Sequence, residues 1–279
     1  MTRIIPPPRP VTPQPQPITS KILRQGYAFA QPGWQLPLQR LPLHDLKLAL
    51  LIDTPRLWGW LTIVCDDQHY LGWDGLYENT PLDDTLDDCS PTLVGIQHDA
   101  DLFQRWLNDP DWARGALLIS YRCEREVLVN HLRSLVWMKQ RGKDLLMRYY
   151  APDILDSWAS TLTDDELDAL LGPAECWAWL SPLQHQQYGL HHYHWDTSLP
   201  RCWSWMAHTP TASGAVVKSG SSQVHNHGWF HLSEAQIDAL DRHDAVIRQR
   251  EQAARGATAT TAFQNYIDDW LGAGTEDTP

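Results

Sequence analysis

The sequence predicts an α/β fold: a partly parallel sheet flanked by helices, with a smaller C-terminal helical lobe. Two observations carry this. Short apolar runs alternate with helical-period segments between Ala113 and Leu180. The run Gly115–Ser120 is compact and apolar, the mark of a strand buried on both faces, and Cys176–Leu180 reads as a further strand. Short strand–helix–strand connections then argue a right-handed α/β unit.

Each element follows from its residues. After Ser120, Leu128, Leu132, Leu135 and Val136 form a helical stripe. Glu124 and Glu126 suit its start, Lys139 and Arg141 its end, and Gly142 its stop. Leu145–Tyr150 alternates as a strand. Pro152 ends that strand and opens a short helix with Ile154, Leu155 and Trp158. Thr163 and Glu166 have capping-box spacing before Leu167, Leu170 and Leu171, and Gly172-Pro173 closes the turn. Trp177 and Trp179 share one face of the last strand.

Upstream, Leu46–Asp53 reads as a buried strand. Asp53 or Thr54 is placed to cap a helix with Pro55 in its first turn and Leu57, Trp58, Leu61 and Val64 inward. Thr92–Gln97 is another strand, and Asp99–Leu107 a helix with Leu102, Phe103, Trp106 and Leu107 inward. Residues 1–43 hold half of the 20 prolines and form a polyproline-like tail, read as a disordered lead-in or a docking tail. The α/β domain spans 44–181. Residues 182–222 are a His/Trp-rich segment and flexible loop. The helical lobe spans 223–279: Ser233 and Gln236 open one helix, with Ile237, Leu240 and Ile247 on one face. Phe263, Tyr266, Ile267, Trp270 and Leu271 stripe a second.

Composition narrows the function. The 279 residues are 43% hydrophobic, enough for a full core, and the net charge is −12. That charge disfavours nucleic acid and anionic membranes as partners. Five Cys without C-x-x-C fit reduced thiols, no run is long enough to span a bilayer, and the N-terminus has no signal-peptide core. The expected location is the cytoplasm. The 15 Trp serve the core, a recognition surface, or both.

Catalytic chemistry finds little support. His191, His192 and His194 with Asp196, or His225, His227 and His231, are candidate metal ligands, but neither set has a metal-motif spacing. The acids Asp83, Asp84, Asp87 and Asp88 lack calcium-loop order and read as a solvated loop. No G-x-S-x-G, P-loop or G-x-G-x-x-G occurs, and Cys123 fits an ordinary strand–helix junction. The expectation is no catalytic residue, no metal and no cofactor.

Ordered motifs carry a family resemblance. They are Leu50–Asp53, Asn79–Leu82, Ser90–Val94, Ala116–Ser120, Glu126 with His131–Arg133, Leu146–Pro152, and Leu171–Pro173 ahead of Trp177. In this order the chain resembles the bacterial domain-of-unknown-function family numbered 4123, over about Leu46 to Leu180. Ala151 stands where the family pattern usually has Asp. As a helix cap, that Asp would be worth about 1 kcal/mol.

The resemblance implies a cytoplasmic adaptor chaperone of type VI secretion. Such a protein holds the N-terminal region of a cognate effector and loads it onto the secretion spike, a valine-glycine repeat protein or its PAAR-type tip. The expected effector-binding groove is lined by Trp195, Trp203, Trp205, Phe230, Tyr266 and Trp270. The competing class is a metal-dependent hydrolase or toxin using His191, His192 and His194. A third is a generic protein- or glycan-binding module.

Overall fold

In the computed structural model the described residues are 46–180 except 79, 81, 87 and 88, then 201–208, 228–249 and 252, with the pieces 22–23 and 29–30. In chain order the strands are β1 (Ile22–Leu23), β2 (Phe29–Ala30), β3 (Lys47–Ile52), β4 (Tyr70–Gly75), β5 (Thr92–Ile96), β6 (Ala116–Tyr121), β7 (Trp137–Gln140), β8 (Lys143–Leu146), β9 (Ala174–Leu180), β10 (Arg201–His208) and β11 (Phe230–His231). The helices are α1 (Trp60–Asp66), α2 (Asp83–Leu86), α3 (Asp101–Asn108), α4 (Pro110–Gly115), α5 (Arg125–Leu135), α6 (Pro152–Ala159), α7 (Asp164–Leu171) and α8 (234–249).

One sheet dominates, in the order β1-β10-β9-β6-β3-β5-β4, with β2 also on β10. Every pairing within it is antiparallel. The expected parallel character is therefore absent from this sheet. Among the described residues the parallel pair is β11 with β7, in a second sheet ordered β11-β7-β8. Continuous apolar runs report that both faces are covered; they carry no information on strand direction.

Both faces are covered, and side chains alternate between two cores. Ala49, Leu51, Leu117, Ile119, Trp177, Trp179 and Met206 face a first core closed by residues of α5, α6, α7 and α8. Leu48, Leu50, Ile52, Leu118, Ala178, Trp203 and Trp205 face a second, closed by residues of α1, α3 and α4. In α8, Ile237 and Ala239 are buried in the first core. Glu234 pairs with Arg141 at 2.7 Å across to the β7–β8 hairpin. The expected helix at Phe263–Leu271 lies outside the described residues.

Several local readings hold. Thr163 and Glu166 form a capping box, Pro152 opens α6, and Ser233 with Gln236 caps α8 through Ser233 N to Gln236 Oε1 at 2.9 Å. Two do not. The helix expected to run to Gly142 stops at Leu135, and the chain turns into a hairpin. Arg141 and Gly142 both have positive φ, 48° and 79°, and Gln140 pairs with Lys143 across them. Two adjacent positive-φ residues suit the tight hairpin turn that matches strand twist. Upstream, the chain after Asp53 makes only a short 3-10 turn, Thr54–Arg56, and α1 starts afresh at Trp60 after left-handed Gly59. The restart changes the helical phase. Trp60, Ile63 and Val64 turn to the core, while Trp58 and Leu61 turn outward.

Candidate functional site

Two features stand out where the motif segments meet: a polar knot at one end of the sheet, and an exposed apolar unit at its β4 edge.

The knot is centred on Asp53, just past the end of β3. Its side chain is fully buried and caps no helix. Instead Arg148 Nη2 donates to both carboxylate oxygens, at 2.9 and 2.8 Å, and Arg56 Nε lies 3.2 Å away. Arg56 also pairs with Asp153, at the start of α6. His243 Nε2 of α8 lies 4.0 Å from Asp153. Beside them the Tyr77 and Tyr150 hydroxyls share a hydrogen bond of 3.0 Å. Ser90 Oγ accepts from Tyr77 N, and Ser90 O accepts from Thr54 and Thr92 hydroxyls. Ala151, at the N-cap of α6, supplies no side-chain bond, and Asp153 accepts from Ile154 N.

Burial raises the Asp53 carboxyl, against the lowering pull of Arg148 and Arg56. Burial alone would lower Arg148; Asp53 more than offsets it, and the guanidinium is held up. Burial also pushes the Tyr77 and Tyr150 phenols up, so both stay neutral hydrogen-bonding groups. The knot is thus charge-balanced and ties β3, the β4–β5 connection, the 148–153 turn and α8 together. Chemically it is a clasp, since every named charge faces an opposite one.

Arg148→Ala is expected to destabilise the fold by about 2–3 kcal/mol. This is less than the roughly 3–5 kcal/mol for breaking a fully buried pair, because Arg56 remains and Arg148 is partly exposed. Asp53 titrates above its unfolded value, so its contribution is full below the ordinary carboxylate range and is lost as pH rises through the raised value. Removing Arg148 raises that value further. The variant's deficit should therefore be largest at neutral pH and shrink on acidification, measured by urea unfolding across pH. A deficit independent of pH would refute the clasp.

The helix α5 braces β4, β5 and the end of α7. Arg125 donates to Asp74 Oδ2 at 2.5 Å and to the carbonyls of Leu71, Gly72 and Leu93. Arg133 reaches the carbonyl of Gly75 and Glu78. The His131 ring hydrogen-bonds the carbonyl of Leu170 at 2.9 Å and covers Gly172. α5 therefore ties β4, β5 and the end of α7 into one interlocked scaffold.

The expected groove residues fall differently. Trp203 and Trp205 are buried in the second core, where the Trp203 and Trp106 rings lie 4.7 Å apart. Phe230 is buried in the first core, edge-on to Trp158. With the sheet between them, these three do not line one open groove in this structure. The physical reason is that β10 is covered: Trp203 and Trp205, two residues apart, share its face toward the second core, while Phe230 on β11 packs in the first. Trp195, Tyr266 and Trp270 lie outside the described residues.

The exposed apolar side chains are elsewhere. Trp58 is 100% exposed, Leu71 56%, Leu61 45%, Trp73 43% and Val127 40%. Four of these five lie between Trp58 and Trp73, in the α1–β4 unit. Tyr70 packs on the second core and stacks on Trp73 at 6.0 Å, so Trp73 stands on the α1 side of the sheet. Sequence reasoning turned Trp58 and Leu61 inward because it ran one helix through Gly59.

Among the described residues no three His, Cys, Asp or Glu side chains group closely enough to hold a metal, and no helix is long and apolar enough to cross a membrane. His191, His192, His194, His225 and His227 lie outside the described residues, and His231 is exposed on β11.

Most of the interlocked scaffold falls in a segment that matches a family model. Residues 52–169 match the family model described as Domain of unknown function (DUF4123). That match supports the resemblance drawn from the ordered motifs. The matched segment takes in Asp53, Arg148 and Tyr150 of the knot, α5 with its bracing arginines, and the whole α1–β4 unit. His243 and the Trp-bearing β10 lie beyond it. No curated protein and no solved structure matches the chain.

Proposed function

We propose that this protein is a non-enzymatic, cytoplasmic adaptor. It binds the N-terminal region of a cognate effector and loads it onto a type VI secretion spike or its PAAR-type tip. The observation that carries the binding role is the crowding of exposed apolar side chains into the α1–β4 unit. Exposed Trp is costly in water and is enriched where proteins meet. The unit is held on a rigid base, since Trp60, Ile63 and Tyr70 pack on the second core behind it and Arg125 pins β4. A preordered surface loses less entropy on binding. The secretion role rests on the family resemblance.

The test is co-expression with the product of an adjacent toxin gene, followed by affinity and size-exclusion purification. The expected outcome is a stable complex that forms without added metal and carries no hydrolytic activity of the adaptor. Two proteins that elute separately at micromolar concentration, with no shift of either peak, would defeat the adaptor reading.

A further inference from the structure

The dominant sheet ends in two unlike edges. At one, β4 is bulged between Tyr70 and Trp73, and Arg125 holds the carbonyls of Leu71 and Gly72. A bulge and a fixed cation blunt a strand edge against pairing. At the other, the last long strand is β10, eight residues from Arg201 to His208. Its Trp203, Ser204, Trp205, Met206 and Ala207 are all buried. One side of β10 is held by β9; on the other, β1 pairs with Ala207 and His208, and β2 pairs with Arg201 and Cys202. Without that cover β10 would present a long row of unpaired backbone groups, a template for the same strand of a second copy.

The sequence marks the covering segment independently. Half of the prolines lie in residues 1–43, yet residues 18–31, ITSKILRQGYAFAQ, hold none. Proline cannot donate to a ladder, so a proline-free window in a proline-rich stretch is where a strand can form. Both β1 and β2 fall inside it. The register agrees. From Ile22 to Ala30 the chain passes β10 from His208 to Arg201, six steps from Leu23 to Phe29 against five from Ala207 to Cys202. That near match leaves no length for crossing β10, so β2 continues the edge that β1 begins. The same molecule reaches this edge. Ala30 lies four strands from β3 and at the other end of the sheet, roughly 30 Å from Lys47 by strand spacing and rise. Residues 31–46 can span roughly 50 Å, so no exchange between copies is needed.

We infer that the outer edge of β10 is a strand-docking edge, and that its occupant is the chain's own N-terminal segment, through Ile22–Leu23 and Phe29–Ala30. The segment is a strap. It closes the edge against a second copy of β10. The two cores stand without it, since residues of α1 and of α3 to α8 wall them. The strap goes beyond the adaptor reading and does not rest on it.

The experiment uses the full chain. Phe29→Cys sets a thiol opposite native Cys202, at a spacing that cross-strand pairs and disulfides share. Under mild oxidation the two are expected to link within one molecule. The product runs as a monomer on non-reducing electrophoresis, and mass spectrometry finds the linked peptides. Ala30→Cys, opposite Arg201 and one position along, where the pleat turns to the opposite face, is expected to link to Cys202 about tenfold less. A second variant combines Ile22→Pro, Leu23→Pro, Phe29→Pro and Ala30→Pro. Neighbouring N–H groups alternate in direction, so proline at both positions of each pair removes whichever donor faces β10. This variant is expected to keep the wild-type circular dichroism. Its mass by light scattering should rise with concentration to about twice the monomer or more, while the wild type stays monomeric. A disulfide-linked dimer from Phe29→Cys, no link, or equal linking from Ala30→Cys would each overturn the occupant. A proline variant that stays monomeric, or that unfolds outright, would overturn the strap as a guard of the edge.

Discussion

Trp203→Ala is expected to remove about 3–5 kcal/mol of stability, in the absence of any partner. The side chain is fully buried on β10, packed against Trp106, whose indole N–H donates to Ala116 O at 3.0 Å. Truncation leaves a cavity walled by Trp106 and the second core. Trp106 is held by its hydrogen bond and by Phe103 stacked at 6.4 Å, so it cannot fill the void freely. The β9–β10 pairing, Trp203 opposite Leu180, loses its packed centre as well. Urea unfolding of the purified chain measures the loss. A variant as stable as wild type that has lost only partner binding would restore Trp203 to a recognition surface.

This case shows where the sequence is readable. Burial is legible: the runs at β3, β5, β6 and β9 were placed within a residue or two, because apolar continuity reports covered faces directly. Strand direction is not, because it depends on how the connections cross the sheet. The hairpin at Arg141–Gly142 was hidden for a different reason. A helix stop and a two-residue turn both use Gly after a basic residue, and only the backbone angles distinguish them.

The site was less legible than the fold. Asp53 sits where a helix cap belongs, yet its partners Arg148 and Arg56 come from 95 residues downstream and from the adjoining turn. Long-range pairing leaves no local spacing to read. Trp58 and Trp203 look alike in sequence, and tertiary context puts one in water and the other in the core.

Gly172→Ala should be comparably damaging, at about 4 kcal/mol, and its origin can be divided. Gly172 follows α7 at φ 53° and ψ −121°, a conformation essentially reserved for glycine. An added Cβ would also come within 2.4 Å of the His131 ring. That ring cannot simply swing away, because Nε2 is hydrogen-bonded to Leu170 O in the last turn of the same helix. The backbone strain accounts for about 1–3 kcal/mol and the overpacking for a similar amount. His131→Ala removes only the second. In a double-mutant cycle Gly172→Ala should therefore cost about 1–2 kcal/mol less in the His131→Ala background, without becoming neutral. An identical cost in both backgrounds would mean that the ring contact carries nothing. A neutral Gly172→Ala in that background would mean the backbone is unstrained. The expected intermediate value says that the His131–Arg133 and Leu171–Pro173 motifs occur together because one motif's ring occupies the space the other's glycine leaves.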